Sequence, residues 1–106
     1  MSETSTGTLG ICVATRNSIA HVIGLARAAK AAGKTVEVFF TGEGVLLTQD
    51  PRFTELVGTG KLAVCEVSYL ANGLKGKEVP GVGFKDFVTQ ARNAEMLERC
   101  ERYVVL

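Results

Sequence analysis

The chain has 106 residues, which is the size of one domain. Its composition, 46% hydrophobic and 22% charged, allows a buried core and excludes an intrinsically disordered chain. The formal net charge of +1 gives no indication of binding to nucleic acid or to a strongly charged membrane surface, and no apolar run approaches the length of a membrane span.

The first eight residues, MSETSTGT, are polar and have neither the basic start nor the apolar stretch of a secretory signal. We therefore predict a flexible N-terminal tail over residues 1–8 and a single domain over residues 9–106.

The three cysteines, Cys12, Cys65 and Cys100, are odd in number and form no CxxC pair. Together with the absence of a signal, this favours a reducing cytoplasm over a disulfide-linked scaffold. A zinc site needs about four closely spaced ligands. Since His21 is the single histidine, the sequence predicts no metal site.

The first third of the chain is typical of a strand, a helix and a second strand. Leu9–Ala14 is a continuous apolar run, as in a strand that is covered on both faces. Ile19–Ala32 has apolar residues at helical spacing, with Gly33 in place to end the helix. Thr35–Thr41 is rich in β-branched and aromatic residues. Such a crossover makes the two strands parallel. His21 lies off the apolar face of the helix, and we interpret it as a partly buried or interface residue.

The segment after the second strand contains Gly42-Glu43-Gly44. Its glycine spacing fits neither GxGxxG nor GxxxxGK[ST], so we interpret it as a tight turn and predict no phosphate-bound cofactor. Asp50-Pro51 indicates the start of a short helix.

Lys61–Cys65 predicts a third strand, and a helical pattern follows at once over Glu66–Asn72, with Gly73 ending it. In that helix we expect the core-facing side chains to be those of Val67, Leu70 and Ala71.

The last part of the chain begins with a glycine-rich loop over Lys75–Phe84, which is placed to act as a lid. A final helix is predicted to start at Lys85 or Asp86, and Tyr103–Leu106 predicts a closing strand. The side chains expected to face inward from this helix are those of Phe87, Val88, Ala91, Leu97 and Cys100. Strands that alternate with helices predict an α/β fold: a mostly parallel sheet of about five strands flanked by helices, in a flavodoxin-like three-layer sandwich.

Sites in open parallel sheets form at the carboxyl ends of the strands. Among the side chains at those ends, Cys65 is the strong nucleophile. It also lies at a helix N-terminus, which favours the thiolate, whereas a carboxylate at Glu66 opposes ionisation unless it points away. The alternative is that Cys65 is a structural cysteine.

The spacing of Val64-Cys65, Ser68 and Gly73-Leu74 resembles the strand–Cys–helix–Gly signature of the DsrE family of sulfur-relay proteins, which includes the TusD-like subunits. Phe39–Val45 resembles the second-strand motif of that family, and Tyr103–Leu106 falls in the matching place. The resemblance implies a DsrE-like fold in which Cys65 is the catalytic residue and carries sulfane sulfur as a persulfide.

The resemblance also implies partners. Cys65 would accept sulfur from a donor and pass it to a partner thiol, and family members form trimers or hexamers, some of them homo-oligomers. Two positions depart from the family pattern: Asn72 stands where a basic residue is common, and Glu66 adds negative charge. Cys12 and Cys100 have no counterpart.

Three functions are thus considered. The first is a small cytoplasmic sulfur carrier or sulfurtransferase that uses Cys65. The second is a non-catalytic oligomeric subunit of a sulfur-metabolism complex. The third, a nucleotide- or flavin-binding module, is disfavoured because the chain has no phosphate loop.

Overall fold

The computed structural model describes residues 7–106. In chain order the elements are β1 (Thr8–Val13), α1 (Ile19–Ala31), β2 (Thr35–Phe40), β3 (Lys61–Cys65), α2 (Glu66–Ala71), β4 (Phe87–Val88), α3 (Gln90–Arg99) and β5 (Arg102–Val105). Two 3-10 helices, Gly42–Gln49 and Pro51–Leu56, connect β2 to β3, and a 3-10 turn over Phe84–Asp86 precedes β4. β1 thus begins one residue before the predicted domain start, and residues 1–6 of the predicted tail lie outside the described residues.

The five strands form one sheet in the order β4-β3-β2-β1-β5, and every neighbouring pair is parallel. This confirms the predicted α/β class with a five-stranded sheet and flanking helices. The register aligns Val13 with Phe40 and Phe40 with Val64, and it aligns Cys65 with Val88. The carboxyl ends of the four strands therefore meet along one edge of the sheet. Within residues 7–106 no helix is long and apolar enough to cross a membrane.

The two faces of the sheet are covered unequally. One face, here called the α1 face, packs against α1, the two 3-10 helices and α2, and holds a cluster of 18 buried residues. The other face, the α3 face, holds a cluster of five: Cys12, Phe39, Ala63, Cys65 and Met96. Because side chains alternate along a strand, Leu62 and Val64 of β3 belong to the α1 face, whereas Ala63 and Cys65 belong to the α3 face.

A buried ion pair ties α3 to the sheet. Arg99, the last residue of α3, donates two hydrogen bonds of 2.9 Å to the two carboxylate oxygens of Glu37 on β2. Glu37 is 7% exposed, so its charge is matched at close range rather than by solvent. This fork holds the C-terminal end of α3 on β2.

The predicted last helix begins too early. Phe87 and Val88 form β4 beside β3, and α3 starts at Gln90, where the side chain of Thr89 accepts a hydrogen bond from Ala91 N. Leu97, expected to face inward, is 55% exposed. The spacing of Phe87, Val88 and Ala91 fits a helix, but the pairing of two residues with β3 decides their conformation.

The predicted inner face of α2 is also wrong. Val67 and Leu70 are 72% and 50% exposed, whereas Tyr69 between them is 4% exposed. The ring of Tyr69 packs edge-on against Phe87 with ring centroids 4.9 Å apart, and its hydroxyl donates to the carbonyl of Lys77 at 2.6 Å. The larger aromatic side chain, which also has a partner for its hydroxyl, takes the inward position.

Candidate functional site

Cys65 is the last residue of β3 and the residue that immediately precedes α2. The apolar run of β3 takes the chain through the sheet to its carboxyl edge, where the helix turns away toward the α1 face. The side chain of Cys65 belongs instead to the α3 face, and the residue is 2% exposed. The thiol therefore lies at the edge of the sheet, between the first turn of α2 and the first turn of α3.

The polar groups around Cys65 come first from the end of β2 and from α2. Gly42 N donates to Ser68 Oγ at 2.9 Å, and the hydroxyls of Thr41 and Ser68 are 3.4 Å apart. Since Ser68 Oγ accepts from Gly42, its own hydrogen remains available to a neighbouring acceptor. These contacts place two hydroxyl donors beside the sulfur.

Gln90, the first residue of α3, adds a third side chain. Its Nε2 donates to Thr41 Oγ1 at 2.7 Å and to Cys65 Sγ at 3.4 Å. The register of β4 explains this position: Val88 is aligned with Cys65, so the chain enters α3 two residues later, beside the sulfur. Gln90 is itself exposed and covers the thiol from the solvent side.

Asn72 holds the first turn of α2 against the end of β2. Its Nδ2 donates to Ser68 O at 2.8 Å and to Gly42 O at 3.2 Å. The residue that departs from the family pattern thus fixes the backbone from which Ser68 projects.

The surroundings of Cys65 affect its pKa in two opposing ways. Burial is the largest single influence and raises the pKa of the thiol. Hydrogen bonding from the Ser68 hydroxyl and backbone N–H, from the Gln90 amide and from the Thr41 hydroxyl lowers it. The hydrogen bonds outweigh burial, so the pKa of Cys65 lies below its ordinary value. A thiol with these neighbours is a better nucleophile near neutral pH than one in an apolar site.

The other residues considered from the sequence lie elsewhere. His21 is exposed on α1, which packs on the opposite face of the sheet from Cys65. Glu66 is exposed and is not among the groups that shift the pKa of Cys65. Arg16 lies in the loop after β1, 3.9 Å from Glu43 in the loop after β2.

Cys12 and Cys100 lie toward β1 and β5 on the α3 face and are free thiols. Burial, and then the charge of Glu37, raise the pKa of Cys100. Burial also raises the pKa of Tyr103 to about 12, and a hydrogen bond with Cys12 adds to this. These groups resist ionisation, in contrast to Cys65.

The loop predicted as a lid packs away from Cys65. Gly81 lies against Val57, and Leu74 and Val79 are buried on the α1 face. The residue that covers the thiol is Gln90. Sequence reasoning missed Gln90 because it is polar, exposed and 25 positions from Cys65; it quoted Thr41 and Ser68 only as parts of motifs.

Within the described residues, no three His, Cys, Asp or Glu side chains lie close enough to hold a metal ion. Comparison of the sequence with protein-family models gives no match, and comparison with curated protein sequences gives none either. The similarity to the DsrE family thus rests on the spacing of the quoted motifs.

Proposed function

We propose that this protein is a small sulfur carrier, or sulfurtransferase, that holds sulfane sulfur as a persulfide on Cys65 and passes it to a partner thiol. The observation that carries the proposal is the polar pocket of Cys65. Donors from Thr41, Ser68 and Gln90 lower the pKa of a thiol that burial alone would keep protonated. The spacing that resembles the DsrE family supports the same residue.

The reaction has two steps without net oxidation or reduction. The Cys65 thiolate attacks the outer sulfur of a donor persulfide, R–S–SH; a new S–S bond forms on Cys65, the donor S–S bond breaks, and R–S⁻ leaves with the electron pair. The thiolate of an acceptor then attacks the outer sulfur on Cys65 and releases the Cys65 thiolate. Thiolate fraction, nucleophilicity and access govern the rates of such exchange.

Access to Cys65 depends on Gln90. The thiol is 2% exposed, so a donor reaches it only after the Gln90 side chain rotates away. That rotation breaks the hydrogen bonds to Thr41 Oγ1 and Cys65 Sγ, but the amide gains water because Gln90 is exposed. The same amide can return to stabilise the persulfide anion after transfer.

The test is intact-mass spectrometry after incubation with a persulfide donor. We expect a mass gain of one sulfur atom in the wild type and in the control variant Cys100→Ser, and none at that site in Cys65→Ser. A wild type that gains no sulfur, or a Cys65→Ser variant that gains as much, refutes the proposal.

The second candidate is a non-catalytic subunit of an oligomeric sulfur-metabolism complex, in which Cys65 is structural. The near-complete burial of Cys65 favours this reading, as do the exposed side chains of Leu97 and Val105, which are 55% and 59% exposed. The two candidates differ in the rate at which iodoacetamide alkylates the native protein at Cys65. Alkylation near the rate of a free thiol supports the carrier, and alkylation only on unfolding supports the structural subunit.

The carrier function implies donor and acceptor proteins in a reducing compartment, which we propose is the cytoplasm. We further propose a homo-oligomer, a trimer or a hexamer, and light scattering of the purified chain tests its size.

A further inference from the structure

The α3 face carries a groove that the thiol site does not use. It has a volume of about 450 Å³ and is lined by seven residues, including Lys61, Lys85 and Arg92. These three cations come from three elements: the start of β3, the 3-10 turn before β4, and α3. The groove therefore lies along the start of β3, with α3 on one side and the approach to β4 on the other.

The groove concentrates positive charge in a chain whose net charge is only +1. Within the described residues, Lys61 and Lys85 have no ion-pair partner, and Arg92 makes only a loose contact of 3.8 Å with an exposed Glu95. The one acidic residue in the lining is Asp86, whose Oδ2 accepts a hydrogen bond from Gly83 N at 3.0 Å.

The nearby carboxylate of Glu37 does not neutralise this charge. It is aligned with Lys61 across β2 and β3. Both of its oxygens are nevertheless occupied by Arg99 at 2.9 Å. The cations of the groove are thus free to attract an anion from solution.

The walls of the groove are held close to their neighbours. A Cβ at Gly60 would lie 2.1 Å from the carbonyl oxygen of Val36, so the backbone there is packed directly on β2. Gly81 has a φ of +76°, and a Cβ there would lie 2.8 Å from Val57. Such a cavity is preformed, and its volume falls within the range of about 300–1,000 Å³ that small-molecule sites occupy.

The groove and Cys65 share one face of one strand. Lys61, Ala63 and Cys65 alternate with the residues of the α1 face, and Arg92 follows Gln90 by two positions. Four residues of strand span about 13 Å. Because long lysine and arginine side chains shorten this gap, a molecule that touches both places needs an anionic group roughly 10 Å from its sulfur. Thiosulfate is too short, whereas a peptide of two or three residues fits.

We infer that the groove binds the carboxylates of a small peptide persulfide, which is the sulfur donor for Cys65. This inference rests on the proposed function and names its substrate class. Lys61, Lys85 and Arg92 hold the carboxylates, and the persulfide extends along β3 past the small side chain of Ala63. Transfer then follows the first step given above: the outer sulfur moves to Cys65, and the peptide leaves as its thiolate.

Two donors test the inference: glutathione persulfide, which carries two carboxylates, and the persulfide of 2-mercaptoethanol, which carries none. The variant is Lys61→Gln/Lys85→Gln/Arg92→Gln. The control variant, Lys75→Gln/Lys77→Gln/Arg102→Gln, removes three exposed cations outside the groove. The rate of sulfur gain at Cys65 is measured against donor concentration.

We expect the groove variant to raise the half-saturating concentration of glutathione persulfide about tenfold, as the loss of three partly exposed ion pairs would. Its maximal rate and its reaction with the uncharged donor stay unchanged, as does the control variant with both donors. Equal half-saturation in the groove variant and the wild type overturns the inference.

A binding measurement separates this inference from the proposed function. S-methylglutathione has no sulfur to transfer, so calorimetry on Cys65→Ser reports on the groove alone. Binding that the groove variant abolishes supports the groove even if Cys65 accepts no sulfur from any donor. Absence of binding overturns the inference, while sulfur gain from the uncharged donor would leave the carrier function in place.

Discussion

Replacing Arg99 by Met tests how α3 is held on the sheet. Methionine keeps an unbranched apolar stem but removes the guanidinium, so the carboxylate of Glu37 loses both of its 2.9 Å hydrogen bonds. The side chain of Glu37 is 9% exposed, and it therefore cannot recover full hydration in place.

The expected cost follows from the burial of the two partners. Removing one member of a buried ion pair costs about 3–5 kcal/mol. The side chain of Arg99 is 43% exposed, so water enters where the guanidinium was and part of the cost is recovered. We expect a loss of about 2–3 kcal/mol in the free energy of unfolding, which lowers the urea midpoint by about 1–2 M.

The assay is urea unfolding of the wild type and variants at one fixed protein concentration, since assembly shifts apparent stability. The double variant Glu37→Met/Arg99→Met removes both charges, and we expect it to recover most of the loss. Because α3 carries Gln90 at its other end, Arg99→Met also accelerates alkylation of Cys65. A single variant that loses less than about 0.5 kcal/mol, or a double variant less stable than the single one, refutes the reasoning.

Three further outcomes are expected. Although burial raises the pKa of Cys65, its hydrogen bonds lower it further, so the unfolded chain binds more protons between the folded and unfolded pKa values. The stability difference between wild type and Cys65→Ser, from urea midpoints, should therefore grow as pH rises toward about 8.5 and vanish as pH falls through the folded pKa; a difference that is flat with pH contradicts this. Ultraviolet titration should show a tyrosine step near pH 12 that Tyr103→Phe removes, because burial and the hydrogen bond with Cys12 raise that pKa to about 12; an unchanged high-pH step in the variant would be inconsistent with the assignment. Met96→Ala should cost about 2–5 kcal/mol in urea unfolding, since Met96 is 1% exposed and its Cε lies 3.3 Å from the Cβ position of Gly10; a cost below that of the exposed control Leu97→Ala counts against its core role.

The strands of the sheet centre could be predicted because their residues are apolar without alternation. Leu9–Ala14 was expected and β1 is Thr8–Val13; Thr35–Thr41 was expected and β2 is Thr35–Phe40; β3 has the predicted bounds. Strands covered on both faces leave this signal in the sequence itself.

The parts that failed depend on contacts between distant segments. β4 has two residues, too few for any periodicity, and it exists because Phe87 and Val88 pair with Val64 and Cys65. The inner face of α2 is set by the contact of Tyr69 with Phe87, which spacing within a six-residue helix does not reveal. Cys65 stood out by residue type and by its position at a strand end, but its environment needed the register that delivers Gln90.

The unequal layers of this fold give its two sides different costs of opening. The 18 buried residues of the α1 face must separate together, whereas the five of the α3 face are released when one ten-residue helix lifts. Sub-global openings of small, thinly packed units occur at lower free energy than global unfolding. The protein therefore has a hinged cover over its thiol, and the fork of Arg99 on Glu37 works as the hinge pin: the end of α3 that bears Gln90 lifts while the far end stays fastened. Amide hydrogen exchange that is faster at the start of α3 than at its end is the trace that such fraying leaves.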